Sequence, residues 1–300
     1  EYNLASTDDR WTGKVFYHQA FYPGASRNSA TAFGSIQYST PYFRASFDQS
    51  WVGADYLAEV GFVRRRGFLQ SSPSLEYTFY PAHSNILTHG PSAEFSIILN
   101  PELEITDRET QIGYSIGWRN RNELSITLNE QYVKLLRSFD PTNTGGNKLD
   151  AGSGHRWKNA EVSWSSDTRR LLNHTFSTGY GGYFNGTRLA FGTGLNYRVQ
   201  PYGSISILAA YNDISLPHPY SSARLFLIGP KHDLTLTDKF FITTFAQYNN
   251  QIENFNLNIR LQWRFAPVSD LFIIYTGNSH TGDFSNIDRG LAVKMSYWFK

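Results

Sequence analysis

From Phe255 to Phe265 every odd-numbered residue is apolar and every even-numbered residue is polar or charged. Side chains of an extended chain point alternately to opposite faces, so this pattern dictates a strand with one apolar and one polar face. Leu189, Phe191, Leu195, Tyr197 and Val199 stand in the same relation to Arg188, Asn196 and Arg198. At the end of the chain Leu291, Val293, Met295, Tyr297 and Phe299 alternate with Ala292, Lys294, Ser296 and Trp298. About eleven residues is the length a tilted strand needs to cross a bilayer. Strands of a soluble sandwich run to about five or six. These are too long for that.

The same period marks about sixteen strands. They start near Gly13, Ser29, Tyr42, Phe68, Ile86, Glu109, Glu123, Arg156, Leu172, Thr187, Gly203, Ser222, Lys239, Asn254, Ser269 and Arg289. Short links recur at Thr40-Pro41, Arg119-Asn120-Arg121-Asn122, Ser166-Asp167-Thr168, Gln200 to Gly203, Thr237-Asp238-Lys239 and Ala266 to Ser269. Between them lie mostly longer ones: Phe21 to Arg27, Val52 to Gly67, Pro101 to Arg108, Phe139 to Gly154, Ile214 to Tyr220 and Gly277 to Asp288. The tight Asn185-Gly186 hairpin interrupts that trend. Short turns on one side and longer loops on the other are the plan of an outer-membrane barrel. The fold class expected is therefore all-β: one transmembrane antiparallel β-barrel over residues 1–300, with short periplasmic turns and longer external loops. An even strand count places the N- and C-termini in the periplasm.

Composition agrees where it is informative. No stretch approaches the roughly 18 apolar residues of a membrane helix. A mean hydropathy of −0.41 looks soluble, but only alternate residues of a barrel strand meet lipid. Aromatic residues make 16% of the chain, and Tyr and Trp favour the two rims of a membrane barrel. There is no Cys, which excludes disulfides and thiolate chemistry. A net charge of +2, spread along the chain, gives no reason to expect a nucleic-acid partner. The chain opens at Glu1-Tyr2-Asn3 without a leader, as expected of a processed product or a fragment.

Several runs together resemble a Bacteroidota outer-membrane family with a family-nine carbohydrate-binding-like domain followed by a domain of unknown function. They are Ala58 to Phe68, Gly181 to Arg188, Gln200 to Ile205, and Gln247 through Asn250, Gln251 and Phe255 to Leu271. The resemblance implies that this chain corresponds to the C-terminal barrel part of such a protein, in which case sixteen strands understate the complete barrel, or that it is an unusually short relative. It supplies no catalytic residues.

The polar faces are expected to line the barrel lumen. Arg44, Arg119, Arg188, Arg198, Arg260, Arg264 and Lys294 lie on them, with Asp48, Glu76 and Glu94 of opposite sign. A lipid-facing Arg or Lys at mid-membrane costs about 2–4 kcal/mol, which fixes the direction of these faces. Such residues could form a basic lumen favouring anionic or sugar solutes, or a ladder of cross-strand ion pairs in a blocked barrel. Arg64, Arg65 and Arg66 could constrict the pore, bind lipopolysaccharide phosphate, or be a solvated loop. Tyr297 and Phe299 belong to an aromatic C-terminal strand of the kind that barrel-assembly machinery reads.

Other constellations are weaker. His83 and His89 lack a third ligand of suitable spacing for a metal. Asp140 to Gly146 lacks the acidic residue expected near Ala151 in a calcium loop. Ser177 and His174, three residues apart, point to opposite strand faces. The Asn173 and Asn185 sequons read as turn chemistry. Three functions stay open: a channel or transport-associated barrel for small polar solutes such as oligosaccharides, a non-conducting scaffold or accessory subunit, and a component of glycan hydrolysis. The third lacks a carboxylate pair that could be nominated. The expected partners are outer-membrane lipid and lipopolysaccharide, the barrel-assembly machinery, and other outer-membrane barrels or lipoproteins. No cofactor, metal or nucleic acid is called for.

Overall fold

A computed structural model describes residues 1–24, 26, 28–58, 61–63 and 65–299. Among them there are strands and turns and no helix. The seventeen strands found among the described residues belong to a single sheet. The all-β antiparallel, barrel-type fold that the alternation predicts is the one observed.

The chain divides into two compact units. The first comprises Glu1–Pro141, Lys148–Glu161 and Gly181–Asn185. Its strands are β1 (Tyr2–Ala5), β2 (Trp11–Gln19), β3 (Ala30–Ser39), β4 (Phe43–Val52), β5 (Phe68–Tyr77), β6 (Ile86–Leu99), β7 (Ile105–Trp118), β8 (Glu123–Lys134) and most of β9 (Gly154–Ser165). The second comprises Thr142–Asn147, Val162–Tyr180 and Gly186–Lys300. It holds most of β10 (Leu172–Tyr183), then β11 (Gly186–Val199), β12 (Gly203–Ser215), β13 (Ala223–Thr235), β14 (Phe240–Asn249), β15 (Asn254–Ala266), β16 (Ser269–His280) and β17 (Asn286–Ser296).

From β1 to β8, and again from β11 to β17, each strand pairs antiparallel with its successor in sequence. The sixteen strands expected from the period are all present, as β2 to β17. The addition is β1, four residues paired with Thr12 to Val15. Four residues are too few to display an alternation, so the period gives no sign of β1. β7 also starts earlier than expected, at Ile105, so Arg108 is a strand residue.

Few side chains are buried, because the sheet keeps both faces accessible. The fully buried ones include Leu149, Thr106, Thr142, Ser29 and Ser269. Ile112, Ile126 and Leu128 are exposed on one face of the first unit, and Phe191, Leu195, Leu291 and Met295 on one face of the second. A soluble monomer rarely exposes contiguous apolar area beyond a few hundred Å².

In the second unit the apolar face is bounded by aromatic rows. Phe191 lies opposite Tyr211, Tyr211 opposite Phe226, and Tyr248 opposite Phe255. Phe226 and Tyr248 close the row with ring centroids 6.3 Å apart. At the other end of the strands Trp263 sits 5.7 Å from Phe265, and Phe265 stacks on Tyr297 at 6.4 Å. Ten residues separate Phe255 from Phe265 on β15. At about 3.3 Å per residue that is about 33 Å along the strand, or about 25 Å across a membrane at a tilt of about 40°. This matches the apolar band of a membrane barrel.

Candidate functional site

The polar face carries most of the side chains able to hydrogen-bond or pair by charge, and strand register decides which of them meet. In the first unit Arg44 faces Glu76 across β4 and β5, with an Nη1 to Oε2 distance of 3.7 Å. The next step holds Ser46 opposite Ser74 with their Oγ atoms 2.7 Å apart, and Ser74 opposite Glu94. The step after holds Asp48 opposite Ser72, whose Oγ lies 3.3 Å from that of Ser96. Gln70 donates to Ser96 at 3.1 Å. Glu109 on β7 accepts from Gln111 and Gln131, each at 2.9 Å.

Asp48, Glu94 and Glu109, with these serines, Gln70 and Gln111, border a depression of about 380 Å³. Hydroxyls, amides and carboxylates at this spacing can exchange hydrogen bonds with a hydroxyl-rich solute. The surface is acidic. Residues on neighbouring strands meet here because β4 to β7 run in unbroken register at this level.

The second unit collects cations. Arg198, Asp233, Thr243, Arg260 and Gln262 are among the residues bordering a depression of about 410 Å³. Thr243 on β14 lies between Asp233 on β13 and Arg260 on β15. Its hydroxyl donates to Asp233 at 2.9 Å and accepts from Arg260 at 3.5 Å. Lys231 pairs with Asp233 at 2.7 Å. Arg264 pairs with Asp270 at 3.3 Å while its guanidinium lies 5.6 Å from the Phe241 ring centroid. Lys294 sits on the same face, opposite Phe272. Arg188 lies near the start of β11, opposite Ile214. Arg198 gives its guanidinium to the Thr168 and Arg170 carbonyls, fastening the turn before β10. In the first unit the corresponding face is not uniformly polar, since Phe16 on β2 and Phe33 on β3 stack there at 5.5 Å.

Some expectations need correction. Arg119 is not on a strand wall: it opens the turn between β7 and β8, and its Nε donates to the Ser84 carbonyl at 2.8 Å. β7 ends at Trp118, and Arg121 with φ 64° turns the chain back. Tyr297 and Phe299 lie beyond the last strand rather than within it. β16 begins at Ser269, so its ladder with β17 ends at Ser296, and the Trp298 amide donates to the Ser269 hydroxyl at 3.1 Å. The residues past Ser296 continue as a ring cluster instead, with Tyr297 edge-on to Phe299 at 4.8 Å.

Arg64 lies outside the described residues. Arg65 is held by Asp107 at 2.5 Å and by the Thr106 hydroxyl at 2.8 Å, and Arg66 donates to the Tyr56 carbonyl. His89 packs on Phe79, and its Nδ1 lies 2.6 Å from the Tyr114 hydroxyl.

Glu109, Lys231 and Asp233 escaped the sequence analysis. Glu109 stands at the expected start of a strand, and Leu227-Ile228 next to Pro230 blurs the period through β13. On the opposite, apolar face a further charged group was also missed. Glu130 is contacted there by Arg108, Arg156 and Lys158.

No protein-family model matches the sequence, and no curated protein matches it. Among solved structures the chain is similar to a double mutant of the ferric enterobactin receptor PfeA from Pseudomonas aeruginosa. That similarity has a TM-score of 0.42 at 9% identity and covers 97% of this chain and 68% of the other.

Proposed function

We propose that this chain is the wall of an outer-membrane β-barrel through which small polar solutes pass. One observation carries the proposal: strands of membrane-crossing length have an exposed apolar face edged by two aromatic rows and a polar face on the other side. Lipid is the environment that makes such an apolar face stable. The polar face then lines the lumen, and the end of β17 lies on the periplasmic side with the short links; the added β1 runs back along β2, so the β1–β2 turn lies on that side while Tyr2 stands opposite Val15, partway along the wall.

Hydroxyl and amide groups such as Ser46, Ser72, Ser74, Gln70 and Gln111 favour hydroxyl-rich solutes, oligosaccharides among them. The resemblance to the Bacteroidota carbohydrate-binding-like family supports that choice. Tyr297 and Phe299 would present an aromatic terminus to the assembly machinery. The decisive experiment is conductance of the purified full chain in planar bilayers, with neutral oligosaccharides added to one side. Stable channels blocked by the sugars support the proposal. An inserted protein with no conductance at any voltage would falsify it.

A second reading is a non-conducting scaffold for other envelope proteins. Cross-strand pairs such as Arg44–Glu76 and Arg264–Asp270 favour it, because they occupy charges that a solute would otherwise meet. Co-purification with another barrel or a lipoprotein, together with absent conductance, is its signature.

A further inference from the structure

The apolar face of the first unit changes character at one level on three adjacent strands. Along β7 the outward residues run Ile116, Tyr114, Ile112, Thr110, Arg108; along β8 they run Leu124, Ile126, Leu128, Glu130, Tyr132. On β9 the residues that reach Glu130 are Arg156 and Lys158. Ile112 and Leu128 are more than half exposed, so the greasy band extends up to this boundary. Beyond it charge begins.

Glu130 Oε1 takes Arg156 Nη2 at 2.5 Å and Nε at 2.9 Å, and also Arg108 Nη2 at 3.3 Å; Lys158 Nζ lies 3.3 Å from Oε2. One carboxylate therefore gathers three cations. It is only 23% exposed, whereas Arg156 is 60% and Lys158 74% exposed. The carboxylate organises the cluster from beneath, and the cations project outward carrying an excess positive charge. Three like charges this close repel one another, and an added anion relieves that repulsion.

The level also fits. Trp118 closes the opposite end of β7, ten residues from Arg108. That is about 33 Å along the strand and about 25 Å across a membrane at a tilt of about 40°. The cluster therefore stands at the interface, where a lipid-facing cation costs about 0–1 kcal/mol. It stands at the end of β8 that leads into the nineteen-residue link 135–153.

We propose that Arg108, Arg156 and Lys158 form an outward-facing site for the phosphate groups of an outer-leaflet glycolipid, with Ile112 and Leu128 beneath it against the acyl chains. Planar guanidinium groups bind phosphate bidentately, and a flexible ammonium adds a point charge. The site rests on the membrane reading above, and it differs from the Arg64–Arg66 loop considered earlier.

The test is native mass spectrometry of the full chain released from nanodiscs containing diphosphoryl lipid A. Parallel nanodiscs contain the same lipid A stripped of phosphate, and a third sample receives sodium phosphate alone. Losing two or three charge-assisted contacts should lower lipid retention by about tenfold or more. That fall is expected both for the stripped lipid and for the combined R108Q, R156Q and K158Q variant, while R224Q on the same type of face retains lipid normally. Equal retention of the two lipids, or unchanged retention by the triple variant, overturns the site. Inorganic phosphate binding as tightly as the lipid also overturns it, leaving a free-anion site. If the triple variant does not fold, the two lipids on the unmodified chain decide. A chain that does not enter bilayers at all refutes the membrane reading itself. A chain that inserts and conducts but ignores phosphate refutes only this site.

Discussion

Arg65, in the fifteen-residue link between β4 and β5, is bonded to Asp107 on β7 at 2.5 Å. It also donates to Thr106, which is fully buried and itself donates to the Ile98 carbonyl at 3.1 Å. The pair is mostly shielded, with 24% and 33% of the side chains exposed. A long loop is thereby fastened two strands away from its own hairpin. Replacing Arg65 by Ala should remove about 1 kcal/mol of local stability. Limited proteolysis within residues 53–67 should become faster while the sheet stays intact. Unchanged cleavage would show that the bond does not restrain the link.

The direction of the two faces predicts an asymmetric response to charge. Ile259 lies midway between Phe255 and Trp263 on the apolar face of β15, and Asn258 lies beside it on the polar face. Ile259→Arg should cost about 2–4 kcal/mol for folding into lipid vesicles. Asn258→Arg should cost far less. Equal costs at the two positions would place lipid on the wrong face.

If the polar face of the second unit meets permeating ions, its cations set their selectivity. Arg260→Glu together with Lys294→Glu reverses two charges there and should move the anion-to-cation permeability ratio toward cations on the order of severalfold. The reversal potential under a salt gradient measures it. Glu substitution at Arg156, on the opposite face, is the comparison that should leave the ratio unchanged.

One carboxylate outside the strands carries a pH signature. Glu104, in the link between β6 and β7, is bonded to Lys134 at 2.8 Å. Hydrogen bonding by Lys134, then its charge, holds the Glu104 pKa below the ordinary glutamate value. A depressed carboxylate pKa gives an interaction fully present above the unfolded-state value and lost as pH falls through the folded-state value. Carbon-detected titration of Glu104 should therefore show a midpoint below 4.5. Lys134→Gln should bring it back toward that figure, and a midpoint identical in both proteins would remove Lys134 as the cause.

Much of the fold was legible because a strand's period is two and its consequences are local. Seven expected starts, Phe68, Ile86, Glu123, Leu172, Gly203, Asn254 and Ser269, coincide with the observed ones. Failures cluster where the period is interrupted. Arg119 sits at the foot of a strand whose turn begins with it, so its polarity carried no information about a face. Arg108 and Glu130 put charge on the apolar side, where a two-fold pattern assigns apolar residues. Interfacial depth, where lipid-facing charge becomes inexpensive, is a property of the strand's position in the sheet and is not visible in the alternation.

The sequence by itself determined which side chains along one strand share a face, because that follows from backbone geometry repeated along a single segment; strand ends, such as those of β7 and β17, it did not determine. Only the tertiary structure decided which residues of different strands meet. Cross-strand register brings Asp48 to Ser72, Thr243 to Arg260, and Glu130 to three cations, and register depends on turn lengths and bulges summed over neighbouring hairpins. A one-residue slip would leave every strand's own pattern intact and dismantle each of these constellations.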